Sequence, residues 1–408
     1  MLLFCHPTGG LSVRQAALAL NEAGLLGEFW TCVQYQPLGL LRRLLPERIA
    51  RQLARRTFPE ELAGRVRATP LREIARLFSP GAKLRQLVRR DPTPLGLAAM
   101  QRALGERASV RLASGKFSGV YAFEGGAEHL FRVARDQGLA RLYDLPQGYW
   151  RAAQRLIAEE AELAPEWVPP AEQPELPDPV QQDAELALAD VAFVPSSFAL
   201  KTLDQSGVFN GTGVVVPFGA FWPESVPAVH PPRVSRTLRV LYAGPLDLRR
   251  GARYLFAACR RLGRSVDLTV IAPRAADLPP AMEEALSRHR WVPACPTVRL
   301  LDEMARHDVL VLPALFAGFG QPLLEAMGAG LPVITTTNTA GPDLITDGQE
   351  GFIVPIRDAD AIAEKLELLL ADPGRRQAMS DAAHRRAAEF SWDTYRTSLA
   401  ACSALAVG

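Results

Sequence analysis

The sequence predicts an α/β protein made of two Rossmann-like domains. Three observations carry that expectation. Apolar, β-branched runs pass through glycine turns into helical periodicity at 2–23, from 238 onward and at 308–330, the pattern of βα units on a parallel sheet. Residues 218–237 hold Pro223, Pro227, Pro231 and Pro232, the mark of a linker. Finally, 408 residues with 48% hydrophobic and 22% charged content are enough for two separate cores.

In chain order, 2–5 (LLFC) is an apolar strand leading into His6-Pro7-Thr8-Gly9-Gly10 and a helix over 13–23. A helix N-terminus at the carboxyl end of a strand is where open α/β sheets take ligands. Thr8, Gly9, Gly10 and Arg14 are therefore candidates for a cleft loop; the plainer alternative for Arg14 is a surface arginine. Residues 40–90 carry thirteen Arg and one Lys against four Glu, a net +10 that leaves −8 for the rest. Leucines recur among the arginines, so the segment reads as two or three basic amphipathic helices broken at Pro46, Pro59, Pro70 and Pro80. Such helices either dock on an anionic lipid surface or lipid-phosphate acceptor, or are ordinary packed helices with solvated arginines.

The run 118–123 is a strand ending at Glu124-Gly125-Gly126, and 142–145 leads into Pro146-Gln147-Gly148-Tyr149-Trp150. Glu124 and Asp144 thus sit at strand ends, where each would hold a hydroxyl, accept its proton or cap the next helix. Residues 159–179, rich in Glu and Pro, read as a surface loop. A helix over 183–189, a strand over 191–195 ending in Ser196-Ser197, and a last strand over 213–217 complete a first domain of 1–217. The linker is 218–237, the second domain 238–390, and 391–408 a closing helix.

The second domain opens with a strand over 238–243, then Gly244-Pro245-Leu246-Asp247-Leu248-Arg249-Arg250-Gly251 and a helix from Ala252. This strand-to-helix turn suits a phosphate and carries two arginines, either ligands or an exposed pair. The densest stretch is 308–330: a strand over 308–313, a turn over 316–321, and a helix over 322–330 with Pro322 at its first position. The free amides and helix dipole of such a turn favour an anion, which selects Gly318, Phe319, Gly320, Gln321, Pro322 and Leu323. Glu325 lies one turn in, where a carboxylate repels phosphate and accepts hydrogen bonds from neutral hydroxyls such as those of a ribose. An ordinary βα unit with a glycine turn is the plainer alternative.

Bulk properties exclude several classes. A net charge of +2 gives no global case for nucleic acid. Cys5, Cys32, Cys259, Cys295 and Cys402 have no CxxC spacing, which fits reduced cytoplasmic thiols rather than disulfides or zinc. The opening MLLFC lacks the basic flank and long apolar region of a signal peptide. No run reaches the ~18 apolar residues of a membrane span, and no internal repeat is found.

On the residues of 308–355 the chain resembles the nucleotide-sugar domain of the retaining family 4 glycosyltransferases (glycosyl transferases group 1), which have the GT-B fold. The N-terminal half is similar to a bacterial subgroup, through HPTG…VR at 6–14, AFEGGA at 122–127, YDLPQGYW at 143–150 and ELALAD…VPSSF at 185–198. The resemblance implies two Rossmann-like domains facing across a cleft, with the last helix crossing back to the first. It implies that Glu325 holds the donor ribose. Ala317 stands where the family has a first Glu that orients the donor sugar. In the family's Gly-Arg…Lys-Gly pattern, Pro245 replaces the arginine and Arg250 stands for the lysine; a guanidinium can bridge two phosphate oxygens. The family's first-domain histidine has no clear counterpart, leaving Glu124 and Asp144 as the nearest polar groups.

The function that follows is sugar transfer from a nucleotide-diphosphate donor to a glycan, lipid-linked or small-molecule acceptor. No cofactor beyond the donor and no metal is expected: without an Asp-x-Asp metal motif, Arg250 and the amides around 319–323 neutralise the leaving diphosphate. Arg250 and Glu124 are the catalytic candidates; Glu325, 318–323, Arg249 and Gly244 are the donor-binding ones. The expected location is cytoplasmic, with peripheral contact through 40–90. Ala317, Pro245 and the missing histidine keep open a second reading, a relative that binds nucleotide sugar or a partner transferase. A GT-B epimerase or phosphorylase is a third, and no lysine suits the pyridoxal phosphate of such phosphorylases.

Overall fold

Two all-parallel sheets account for the apolar runs. The computed structural model describes residues 1–32, 34, 57–69, 97–169, 179–221, 235–274 and 278–408. The first sheet contains β1 (Leu2–Cys5), β2 (Leu26–Thr31), β3 (Val66–Ala68), β4 (Gly119–Phe123), β5 (Ala140–Asp144), β6 (Val191–Val194) and β7 (Thr212–Val215), in the order β3-β2-β1-β4-β5-β6-β7. Its described helices are α1 (Leu11–Glu22), α2 (Leu97–Leu112), α3 (Glu128–Asp136), α4 (Trp150–Leu163), α5 (Pro179–Leu188) and α6 (Ser197–Asp204). All four β1 residues are buried, because helices cover both faces of a parallel sheet. Alternation along the strand sends Leu3 and Cys5 into one core and Leu2 and Phe4 into the other.

The second sheet repeats the plan. It contains β8 (Leu238–Ala243), β9 (Val266–Ala272), β10 (Arg290–Pro293), β11 (Val309–Leu312), β12 (Val333–Thr336) and β13 (Gly351–Val354), ordered β10-β9-β8-β11-β12-β13. Its helices are α7 (Ala252–Leu262), α8 (Pro280–Ser287), α9 (Thr297–Met304), α10 (Gln321–Gly328), α11 (Gly341–Leu344), α12 (Ala359–Ala371) and α13 (Pro373–Ala387). In each sheet the strand order reverses once, between β1 and β4 and between β8 and β11. The crevice outside the carboxyl ends of the strands at such a reversal is the ligand position of open α/β sheets.

The last helix, α14 (Trp392–Val407), returns to the first domain. Trp392, Tyr395 and Leu399 belong to the same core as Leu2, Phe4 and Tyr121, and Arg396 donates to Glu22 and Gln15 on α1. The crossing is marked by a bridge pairing Ala220 with Ser391. A second tie is ionic. Glu160 on α4 is 1% exposed and meets Arg253 at 2.6 Å, Arg357 at 3.0 Å and the Tyr254 hydroxyl at 2.9 Å, all from the second domain. A buried carboxylate requires such partners.

Two expectations are corrected here. Residues 159–163 belong to α4 rather than to a surface loop, since cations from the other domain let Glu160 be buried. Within 40–90, the described part is not a basic helix: Glu60–Leu62 is a 3₁₀ turn after Pro59, and Val66–Ala68 is the edge strand pairing with β2. The remaining residues of that segment lie outside the described ones, as does most of the proline-rich linker. No helix among the described residues is long and apolar enough to cross a membrane.

Candidate functional site

The second domain's site forms at the β8/β11 reversal. After β8, Asp247 accepts a hydrogen bond from the Arg250 amide at 2.9 Å and caps the 3₁₀ turn that carries Arg249 and Arg250. Gly251 follows with φ 64, and a Cβ there would lie 2.1 Å from the Pro313 carbonyl oxygen. Only glycine permits that approach. It seats the arginine turn against the 313–320 loop, whose Leu315 and Phe316 amides both donate to the Arg249 carbonyl.

This packing leaves cationic and donor groups unused. The Arg250 guanidinium is largely buried, and burial lowers its pKa. Its Nε has no hydrogen-bond partner among the described residues. On the facing loop the Ala317 amide donates to Asn338 and the Leu323 amide to Gly320. The amides of Gly318, Phe319, Gly320 and Gln321 find no acceptor among the described residues. Four such donors at the start of a helix, on a loop packed against the arginine turn, have the chemistry an anion requires. The expectation of amides from 319–323 is thus narrowed. Pro322 has no N–H, the Leu323 amide is taken, and Gly318 joins.

Side chains in this stretch are mostly structural. Leu323 is fully buried, and Phe319, 4% exposed, packs on Phe218 at 5.3 Å. Gln321 Nε2 donates to the Gly219 carbonyl at 2.9 Å. The helix begins at Gln321, so Pro322 is its second residue. Gly244 donates its amide to Ile271. Glu325 is half-buried on α10; its carboxylate has no hydrogen bond or ion pair among the described residues, and burial raises its pKa to about 7. Ala317 is 1% exposed and packed in the second domain's core. Pro245 is exposed, and its carbonyl accepts from Tyr242.

The first domain's reversal presents an acidic cluster. Glu124 follows β4. Burial raises its carboxyl to about 7, with the charges of Glu185 and Asp144 pushing the same way; Arg249 of the other domain opposes them. Asp144 is pushed up to about 7 by burial, against the hydrogen bond it accepts from Tyr121 at 2.6 Å. Glu185 accepts from the Gly125 and Ala127 amides at 2.8 and 2.9 Å and from the Tyr143 hydroxyl. It therefore fills the N-terminal nest of α3 with the protein's own carboxylate. Glu124 has no such bond among the described residues.

After β1, the Thr8 amide donates to His6 Nδ1 at 3.0 Å, Arg14 Nε donates to the Gly9 carbonyl at 2.8 Å, and a Cβ on Gly9 would strike the Phe58 ring. Gly10 precedes α1 as its N-cap. His6 stands beside Phe123, ring centres 4.7 Å apart, and burial lowers its pKa to about 4. It is an imidazole at the reversal that sequence reasoning passed over; its position directly after β1 was the available signal. The buried Glu185 was passed over too, because its partners are distant in sequence.

One Asp-x-Asp triplet does occur, Asp358-Ala359-Asp360. Asp358 caps α12 and Asp360 pairs with Arg261, so it is a helix start. Among the described residues no group of three His, Cys, Asp or Glu side chains is placed to hold a metal.

A family model described as glycosyl transferases group 1 matches residues 237–372. Among curated proteins, the chain is 30% identical to a glycogen synthase of Mycobacterium tuberculosis over 193 residues, which is 45% of this chain and 44% of that protein. It is 34% identical to a D-inositol 3-phosphate glycosyltransferase of Kribbella flavida over 113 residues (28% and 27%). It is 37% identical to a sucrose synthase of Denitrovibrio acetiphilus over 116 residues (26% and 15%). The chain therefore spans less than half the length of these relatives. Among solved structures, a sucrose-phosphate synthase from Thermosynechococcus elongatus matches with TM-score 0.66 at 19% identity, over 99% of this chain and 98% of the other. Anabaena HepE in complex with UDP-glucose matches with TM-score 0.61 at 13% identity, over 99% of both. These full-length likenesses establish the two-domain GT-B fold.

Proposed function

We propose that the protein is a glycosyltransferase that takes a sugar from a nucleotide-diphosphate donor and delivers it to an acceptor hydroxyl. The observation that carries the reading is the set of four amides at Gly318–Gln321, without acceptors among the described residues, on the loop that packs against the turn of buried Arg250, whose Nε has no partner there either. Curated relatives of the matched stretch are named as transferases and synthases of sugars, and a neighbour of the same fold was solved with UDP-glucose. In the reaction the bond from the sugar's anomeric carbon to the diphosphate breaks and a bond to the acceptor oxygen forms. The acceptor proton leaves to a base, and the diphosphate departs with the electron pair. Arg250, Arg249 and the amides stabilise that departing charge, and Glu325 holds the ribose hydroxyls. Glu124 faces the acceptor hydroxyl, with Thr8, Gly9, Gly10 and Arg14 on the cleft loop beside it. Closure of the cleft limits hydrolysis of the donor.

The finer assignment is to retaining family 4, on the resemblance of 308–355. We place the protein in the cytoplasm, on cysteines scattered through the sequence without CxxC spacing, with peripheral membrane contact through the arginines of 40–90 and a glycan or lipid-linked acceptor. A second reading rests on Ala317, buried where a sugar-orienting carboxylate would be: a shell that binds nucleotide sugar without turning it over.

Calorimetry with UDP, GDP, ADP and TDP on the wild type and Glu325→Ala tests the site. Selective binding of one nucleotide is expected, weakened roughly tenfold or more in the variant, the worth of a hydrogen bond to a charged group. No binding of any nucleotide by the wild type sinks the transferase reading. Binding without release of sugar from the matching donor, with or without acceptor, selects the second one.

A further inference from the structure

The anion-binding loop of the second domain is held in shape by the first domain. The Ser196 hydroxyl, fully buried, donates to the Gly318 carbonyl oxygen at 2.5 Å. That carbonyl belongs to the residue that opens the run of free amides. The approach is close enough to bar any side chain: a Cβ on Gly318 would lie 2.6 Å from Gln147 Cα and from the Pro146 carbonyl oxygen. The 146–149 turn is itself fixed, because the Tyr149 amide donates to Thr202 Oγ1 on α6 at 3.0 Å. Phe198 on α6 packs edge-on against Phe316 of the loop, ring centres 5.2 Å apart. A second contact runs in parallel without touching the amides: the Ser197 amide and hydroxyl both donate to Asp343 on α11 at 3.0 Å.

We propose that Ser196 is a positioning residue that aims the Phe319–Gln321 amides by fixing the plane of the Gly318 carbonyl, so that diphosphate affinity is set from across the domain boundary. A peptide unit is rigid. Holding the oxygen of Gly318 therefore holds the N–H of Phe319 on the opposite side of the same plane. The inference rests on the diphosphate reading above and adds to it a residue from the other domain. It makes loop order depend on domain closure: parting the domains frees the carbonyl and loosens the amides before the diphosphate leaves.

The test compares nucleoside with nucleoside diphosphate. Ser196 is also the N-cap of α6, accepting from Ala199, and glycine is nearly as good as serine at that position. Ser196→Gly therefore removes the hydroxyl with little cost to the helix, and Ser196→Ala serves as the second variant. Both are titrated by calorimetry with the nucleoside diphosphate that the wild type binds and with its parent nucleoside. The diphosphate affinity should fall roughly five- to tenfold, about one net hydrogen bond, and the nucleoside affinity should stay within twofold. Ser197→Ala, which loosens the same interface through Asp343, should leave the ratio of the two affinities unchanged. Equal loss for both ligands, no loss for either, or the same shift in ratio from Ser197→Ala overturns the proposal and leaves the function reading intact. A wild type that binds no nucleotide overturns both.

Discussion

At the scale of single residues, the site is recognised by groups that folding has left unsatisfied. Buried polar groups are ordinarily paired, and leaving one unpaired costs about 1–3 kcal/mol. Arg250 Nε breaks that rule among the described residues, and the half-buried carboxylates of Glu124 and Glu325 accept no hydrogen bond there either. Glu325 gives the sharper prediction. Its folded-state pKa of about 7 lies above the ordinary 4.5, so ionisation opposes folding. The penalty is absent below about pH 4.5, grows between 4.5 and 7, and is complete above 7. Glu325→Gln is therefore expected to raise the melting midpoint at pH 8, with the gain shrinking toward pH 5 and gone at pH 4. Ribose hydroxyls donate best to the ionised carboxylate. Nucleoside affinity should accordingly rise from pH 6 to pH 8 in the wild type and stay flat in Glu325→Gln. Calorimetry across that range checks the slope, and scanning calorimetry checks the midpoints.

At the scale of elements, two strand-to-helix loops form the proposed donor site by leaning on one another. Gly251 is the contact point: its φ of 64, and the 2.1 Å at which a Cβ would meet the Pro313 carbonyl oxygen, demand glycine. Gly251→Ala combines a left-handed backbone cost of about 1–3 kcal/mol with a clash against backbone that cannot yield. Urea unfolding should show a loss above about 2 kcal/mol, together with weakened nucleotide binding as the 313–320 loop shifts. The elements themselves were legible. Apolar runs and glycine punctuation located β1, β8, β11 and the start of α10 within a residue or two, because buried parallel strands and helix starts leave local signatures. What escaped was set by distant partners. Glu160 reads as a surface acid until Arg253 and Arg357 arrive from the other domain. Val66–Ala68 reads as part of a basic helical segment until its pairing with β2 makes it an edge strand. Ser196 is an ordinary helix cap until Gly318 lies above it. Local periodicity carries no information about such neighbours.

At the scale of the whole molecule, the chain's end stabilises its beginning. Leu399 is fully buried in one core with Tyr121 and with Leu2 and Phe4 at the other end of the chain, while α13 just before it packs in the second domain's core through Met379 and Ala383. A buried Leu→Ala change costs about 2–5 kcal/mol. For Leu399→Ala that loss should fall on the first domain, although the mutated residue follows the second. Amide hydrogen exchange separates the two outcomes. Faster exchange is expected in β1, β4 and β5, whose core has lost a side chain, and unchanged protection in β8 and β11, whose residues belong to the other core. Equal loss of protection in both sheets would mean that the domains open as one cooperative unit, with the Glu160 ion cluster and the Ser196–Gly318 bond strong enough to couple them. Selective loss in the first sheet would show that α14 is energetically part of the domain it crosses to. It would also show that the two domains keep separate stabilities, as a cleft that opens to admit a donor requires.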